Sequence, residues 1–168
     1  MSRIARLLRH SVSSPFALRR WFPKRTLAAI EAVIGECERL HSGEIRFTVE
    51  SALESYALLK GQTPRARALE VFSQLRIWDT EHNNGVLIYL LLADRTVEIV
   101  ADRGVAGGRV PQSEWDAVCR LMENHFRERH FEAGAVAGIR AVADVLARYP
   151  AGARGDGNEL PDEPVLLR

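Results

Sequence analysis

The sequence predicts an α/β fold: a three-layer α/β/α sandwich with a small mixed sheet and helices on both of its faces. Three observations predict it. Residues 44–50 alternate Ile45, Phe47 and Val49 with Arg46, Thr48 and Glu50, the period of a half-buried strand. Val86, Leu87, Ile88, Tyr89, Leu90, Leu91 and Leu92 run without alternation, as a strand covered on both faces does. Helical periodicities precede, separate and follow these segments, so the order reads helix, strand, helix, strand, strand, helix, helix.

Residues 1–25 read as a basic, flexible arm. Ile4, Leu7 and Leu8 among Arg3, Arg6 and Arg9 suffice for a short, weakly amphipathic helix. Residues 26–41 place Leu27, Ile30, Ile34 and Cys37 on one helix face, and Ser42-Gly43 stops that helix. Thr63 as N-cap and Pro64 in the first turn open the next one, with Leu69, Phe72 and Leu75 at helical spacing and a fade near Trp78. His82-Asn83-Asn84-Gly85 is a turn. Ala93-Asp94-Arg95-Thr96 is a short polar break, after which residues 97–101 return as the second arm of a hairpin. The first two strands are expected to pair in parallel through a right-handed helical crossover, and the third to be antiparallel. Ser113 and Asp116 suggest a capping box for a helix that turns Trp115, Val118, Leu121 or Met122, and His125 or Phe126 inward. The last helix carries Val136, Ile139, Ala143 and Leu146. Its Gly134 and Gly138 lower helix propensity, which predicts close approach to a neighbouring element. Residues 150–168, rich in Gly and Pro, read as a disordered tail, leaving 26–149 as the folded domain.

At 168 residues the chain suits one domain with tails, and 46% hydrophobic with 27% charged residues excludes wholesale disorder. Cys37 and Cys119 give neither a disulfide framework nor metal-type spacing and read as buried thiols. The formal charge is +1, yet Arg3, Arg6, Arg9, Arg19, Arg20, Lys24 and Arg25 stand among the first 30 residues without an acid, leaving −6 elsewhere. A basic arm on an acidic body predicts an anionic partner, with peripheral contact to an anionic membrane through residues 1–25; a solvated terminus is the plainer alternative. No secretory leader and no apolar run of the ~20 residues needed to span a bilayer is visible, so the expected location is cytoplasmic, at most peripheral to the inner membrane. The basic residues lack the aromatic interleaving of a nucleic-acid platform, which argues against nucleic acid as a partner.

Candidate chemistry gathers where the hairpin closes. A hairpin brings the start of its first strand beside the end of its second, so residues 78–85 and Asp102-Arg103-Gly104 should be neighbours in space. Asp79, Glu81, Asn83, Asn84 and Asp102 are hard oxygen donors of the kind that suits Ca²⁺. The competing reading is turn chemistry, in which Asn and Asp side chains cap their own backbone and Asn84-Gly85 merely tolerates positive φ. Trp78 and Trp115 read as core aromatics, and His82 as an exposed loop residue.

The run Asn83-Asn84-Gly85-Val86-Leu87-Ile88-Tyr89-Leu90-Leu91-Leu92-Ala93-Asp94-Arg95, continued by Val97-Glu98-Ile99, resembles the TPM-domain family. That family takes its name from thylakoid acid-phosphatase-like, photosystem-repair and receptor-modulator members; the likeness is to a bacterial subgroup. Phe131-Glu132-Ala133-Gly134 with Gly138 fits the family's aromatic residue followed by a glycine-spaced helix. The resemblance covers about residues 26–149. It implies a compact α/β/α domain, a divalent-cation site in acidic loops, and weak acid phosphatase activity as in plant members. Three departures stand out. Asn83 replaces the family's Asp before Asn-Gly, Asp102-Arg103-Gly104 replaces a glycine-tyrosine-glycine turn, and the signal and anchor of many bacterial members are missing.

The resulting expectation is a TPM-type module that binds a divalent cation, Ca²⁺ or another, through Asn83, Asn84, Asp102 and Glu81, together with a protein partner near the membrane. The alternative is a metal-dependent acid phosphatase. In it Asp102 holds the metal, Arg103 clamps phosphate as a bidentate donor, and Asp79 or His82 handles protons.

Overall fold

The alternating segment and the continuous apolar segment become adjacent parallel strands. In the computed structural model, which describes residues 3–12, 15–152 and 157–167, β1 (Glu44–Glu50) runs parallel to β2 (Gly85–Leu91), from Glu44 opposite Gly85 to Glu50 opposite Leu91. β2 turns back as β3 (Thr96–Ala101), antiparallel, with Ile88 opposite Ile99. Parts of the expected arm and tail, residues 1, 2, 13, 14, 153–156 and 168, lie outside the described residues.

Helices cover both faces. On one side α3 (Lys24–Glu38), α7 (Gln112–Arg127) and α8 (Phe131–Arg148) bury Ile30, Ile34, Met122 and Ile139 against Ile45, Phe47, Val86 and Ile88. On the other, α5 (Pro64–Gln74) packs Ala68 and Val71 against Leu87, Tyr89 and Val100. Thr63 caps α5, its Oγ1 accepting from the Ala66 N–H at 3.1 Å with Pro64 in the first turn, as the sequence pattern required. α7 differs: its N-cap is Pro111, and Ser113 lies within the helix without acting as a side-chain cap. Two short helices, α4 (Ser55–Leu59) and α6 (Arg103–Ala106), were not foreseen; one helical turn carries too little periodicity to read.

The glycines of α8 behave as expected. A Cβ at Gly138 would collide with the Met122 sulfur, and one at Gly134 would lie 2.7 Å from Phe126 of α7. Their absence lets the two helices touch closely.

Three expectations are corrected. The arm is helical where it is described: α1 (Arg3–Val12) and α2 (Pro15–Trp21) lie against the body, because α1 finds an acidic partner there in Asp94. The tail returns to the sheet. β4 (Val165–Leu167) pairs in parallel with β1 at Thr48–Glu50, and Leu160 is 7% exposed, so the order is β3-β2-β1-β4. This extra strand explains the third correction: β1 is internal and buried along its whole length, Arg46, Thr48 and Glu50 included. The polar alternation was real, but this face is covered: Arg46 donates to the Glu163 carbonyl and Glu50 accepts from Arg67 and Tyr89, while the Thr48 hydroxyl is buried without a hydrogen bond.

Candidate functional site

The hairpin closes as the spacing required. The Asp102 N–H donates to the Gly85 carbonyl at 2.9 Å, and the Gly104 N–H to the Asn83 carbonyl at 2.9 Å. Gly104 is needed there, because a Cβ would strike the His82 carbonyl oxygen. Asn83, itself in the left-handed region (φ 51°), accepts from Arg103 Nε at 3.0 Å through its side-chain oxygen.

The side chains of this loop pair have separate occupations. Asp102 Oδ1 caps α6 by accepting from the Arg103 N–H at 2.7 Å, while Oδ2 is buried without a hydrogen bond. Asp79 is exposed and paired with Arg76 at 2.7 Å; Arg76 also lies over the Trp78 ring, 5.9 Å from its centroid. Trp78, expected in the core, is 47% exposed, whereas Trp115 is buried. Glu81 is exposed, and its backbone N–H donates to Glu159. Extending the ladder by one residue places Asp102 on the face of Leu87 and Val100 and Asn84 on that of Val86 and Ile88. Asn84 therefore belongs to a different group.

That group lines a cavity of about 360 Å³ at the amino ends of the parallel strands, formed by Glu38, His41, Glu44, Asn84, Glu159 and Asp162 among others. The end of α3 supplies Glu38, the start of β1 supplies Glu44, and the segment before β4 supplies the last two. Asn84 is 3% exposed; its amide nitrogen donates to the Ser42 carbonyl, which fixes the other end as oxygen, and that Oδ1 is buried without a hydrogen bond. Glu38 accepts from the Ile45 N–H at 2.7 Å and also hydrogen-bonds to Asp162. Two carboxylates can share a hydrogen bond only through a proton. Burial, with smaller contributions from the Glu44 and Asp162 charges, pushes the Glu38 pKa up to about 9, so Glu38 carries that proton at neutral pH.

Glu44, raised by burial as well, accepts from the Leu160 N–H at 3.1 Å. Asp162 accepts from Asn158 at 2.6 Å and approaches α3 so closely that a Cβ at Gly35 would lie 2.7 Å from it. Among the described residues no three His, Cys, Asp or Glu side chains converge into a set that would hold a metal unaided. Any cation here would need the Asn84 oxygen and water to complete its shell.

The opposite edge, where parallel sheets commonly hold ligands, is occupied by internal charge pairs. Asp94 takes Arg6 at 2.7 Å, Arg9 at 3.2 Å and His10 Nε2 at 3.1 Å, and the His10 Nδ1 accepts from the Leu53 N–H at 3.0 Å. Burial would raise the Asp94 pKa, but hydrogen bonds from Arg6 and His10 with their charges outweigh it and hold the carboxyl below its usual value. Beside it Glu50 binds Arg67 at 2.9 Å and accepts the Tyr89 hydroxyl. Sequence pattern missed both networks, since neither pairing has a local spacing. It missed the amino-end cavity because residues 158–163 looked like tail; the usable signals were Leu160 among acids and the apolar triplet Val165, Leu166 and Leu167.

Both thiols are poor nucleophiles: burial raises the Cys37 pKa and pushes that of Cys119 up to about 12. Among the described residues no helix is long and apolar enough to cross a membrane.

A family model described as TPM domain matches residues 20–145. Comparison with curated proteins found no match. Among solved structures, the NMR structure of BA42 protein from the psychrophilic bacterium Bizionia argentinensis is similar, at 31% identity and a TM-score of 0.72, covering 84% of this chain and 92% of that one. Sequence model and architecture agree, and the chain belongs to the TPM domain family.

Proposed function

We propose that this TPM module binds a hard divalent cation, Ca²⁺ or Mg²⁺, in the cavity at the amino ends of β1 and β2. The observation that carries the reading is the buried, unsatisfied Asn84 Oδ1 facing a cavity that also holds the protonated Glu38–Asp162 pair. A proton between two carboxylates sits where a cation can replace it. Loss of that proton would leave an oxygen-only set of two carboxylates, an amide oxygen and water, the donors such cations take. Of the four residues first expected to hold metal, Asn84 belongs to this set. Asn83, Asp102 and Glu81 border the same end of the sheet.

Calorimetric titration with Ca²⁺ and with Mg²⁺ at pH 8, in buffers of different ionisation enthalpy, tests the reading. Binding should release about one proton and raise Tm, and Glu38→Gln with Asp162→Asn should abolish both effects. An unchanged Tm at saturating concentrations of both metals removes the cation from the account.

The buried, unpaired Asp102 Oδ2 speaks for the second reading, a metal-dependent phosphomonoesterase with Asp102, Arg103 and Asp79 in the roles given above. With Asp79 held by Arg76 and Arg103 held by Asn83, binding is favoured over turnover. Hydrolysis of p-nitrophenyl phosphate that disappears in Asp102→Asn would reverse that preference.

For a partner, Arg19, Arg20, Lys24 and Arg25 form no salt bridge among the described residues, unlike Arg6 and Arg9, and Ile4, Leu8 and Phe16 are exposed nearby in the chain. These support contact with an anionic membrane surface or an acidic protein.

A further inference from the structure

We propose that a cleft at the carboxyl end of β2, walled by α2 and the α7–α8 corner, binds a small organic anion with an apolar body, a short aliphatic or aryl carboxylate. The cleft measures about 220 Å³. Leu90, Leu92 and Phe126 line its apolar part, and all three are at most 8% exposed. One wall is aromatic: Trp21 stacks on Phe131 with centroids 4.8 Å apart, and Phe131 on Phe126 at 5.6 Å. Stacked rings held from three elements form a rigid surface, so a ligand would not have to order it.

The rim is cationic, with Arg95, Arg127 and Arg129. One carboxylate lines the cleft, that of Glu123, and its Oε1 already accepts from the Val97 N–H at 3.1 Å. Asp94, next to Arg95 in sequence, is taken by Arg6, Arg9 and His10. Arg95 and Arg129 therefore present guanidinium groups with no carboxylate partner among the described residues, over an apolar floor. A guanidinium fork matches a carboxylate in a bidentate manner, and the floor selects for a hydrocarbon body behind it.

Backbone conformation adds a separate reason. Arg95 (φ 55°) and Arg129 (φ 64°) both occupy the left-handed region, Arg95 in the hairpin turn and Arg129 just past the end of α7. Glycine or asparagine adopts this conformation with less strain. Of the three arginines in the left-handed region among the described residues (Arg76, φ 53°, is the third), two stand on this one cleft, as a binding role maintained against stability would place them.

The test is calorimetric titration of the full chain with octanoate, with 1-octanol and with acetate. Octanoate should bind, and the alcohol and acetate, each one half of the ligand, should bind at least about tenfold more weakly. Arg95→Gly/Arg129→Gly should lose octanoate affinity by at least about tenfold while its Tm rises by roughly 2–4 °C. No heat with octanoate, equal affinity for octanol, unchanged affinity in the double variant, or a lowered Tm would each overturn the proposal. The wild-type comparison of the three probes decides the matter even if the variant does not fold. The cleft lies at the opposite end of β2 from the cation cavity, so either proposal can fail alone.

Discussion

Glu38 shows how one residue acquires unusual behaviour from its surroundings. On α3 it is an ordinary glutamate at a helix end; beneath β1, beside Asp162 and Glu44, it becomes an acid that keeps its proton to about pH 9. The unfolded chain binds that proton only below about pH 4.5. Folding therefore takes up a proton between these two values, and the contribution of Glu38 to stability is fully present below 4.5 and lost as pH rises towards 9. Glu38→Gln keeps both hydrogen bonds without the titration. Its Tm should fall less than that of the wild type across this window when melts are followed by circular dichroism, with Glu44 leaving some residual slope. Parallel Tm–pH curves would show that Glu38 titrates normally.

At the scale of elements, the α7–α8 pair depends on what its glycines lack. Gly138 packs on Met122, which is fully buried, so no solvent-side rotamer is open to the methionine. Gly138→Ala should destabilise the fold by about 1–3 kcal/mol in urea unfolding. Shortening the neighbour in Gly138→Ala/Met122→Val should recover part of that loss, because contacting sites are not additive. α1 illustrates the converse case, an element held by groups far along the chain. Its Ile4 and Leu8 are exposed, and it docks through Arg6, Arg9 and His10 on Asp94, with Arg6 also donating to the Gln62 carbonyl and His10 accepting from the Leu53 N–H.

At the scale of the whole molecule, the chain closes its sheet with its own C-terminal segment. β4 covers the edge of β1 at Thr48–Glu50, and Leu160 joins the core under α5. Deleting residues 158–168 would expose that edge, remove Leu160 and take Glu159 and Asp162 from the cavity. The truncated chain should melt at lower temperature and self-associate in light scattering, as bare sheet edges do; an unchanged, monomeric melt would make β4 dispensable. Elements with a local signature were legible from sequence alone: Thr63-Pro64 opens α5, the unbroken run from Val86 forms an internal strand, and Gly134 and Gly138 mark a tight helix contact. Each is written in neighbouring residues, through dihedral preference or periodicity. The arm and the tail were not legible. Their order comes from partners far along the chain: Asp94 lies 88 residues from Arg6, and Leu160 lies 116 from Glu44. Neither segment could bury enough surface to offset its conformational entropy alone. The cavity shares that origin, since Glu38, Asn84 and Asp162 meet only once α3, the hairpin and the returning C-terminal segment have packed on the same sheet.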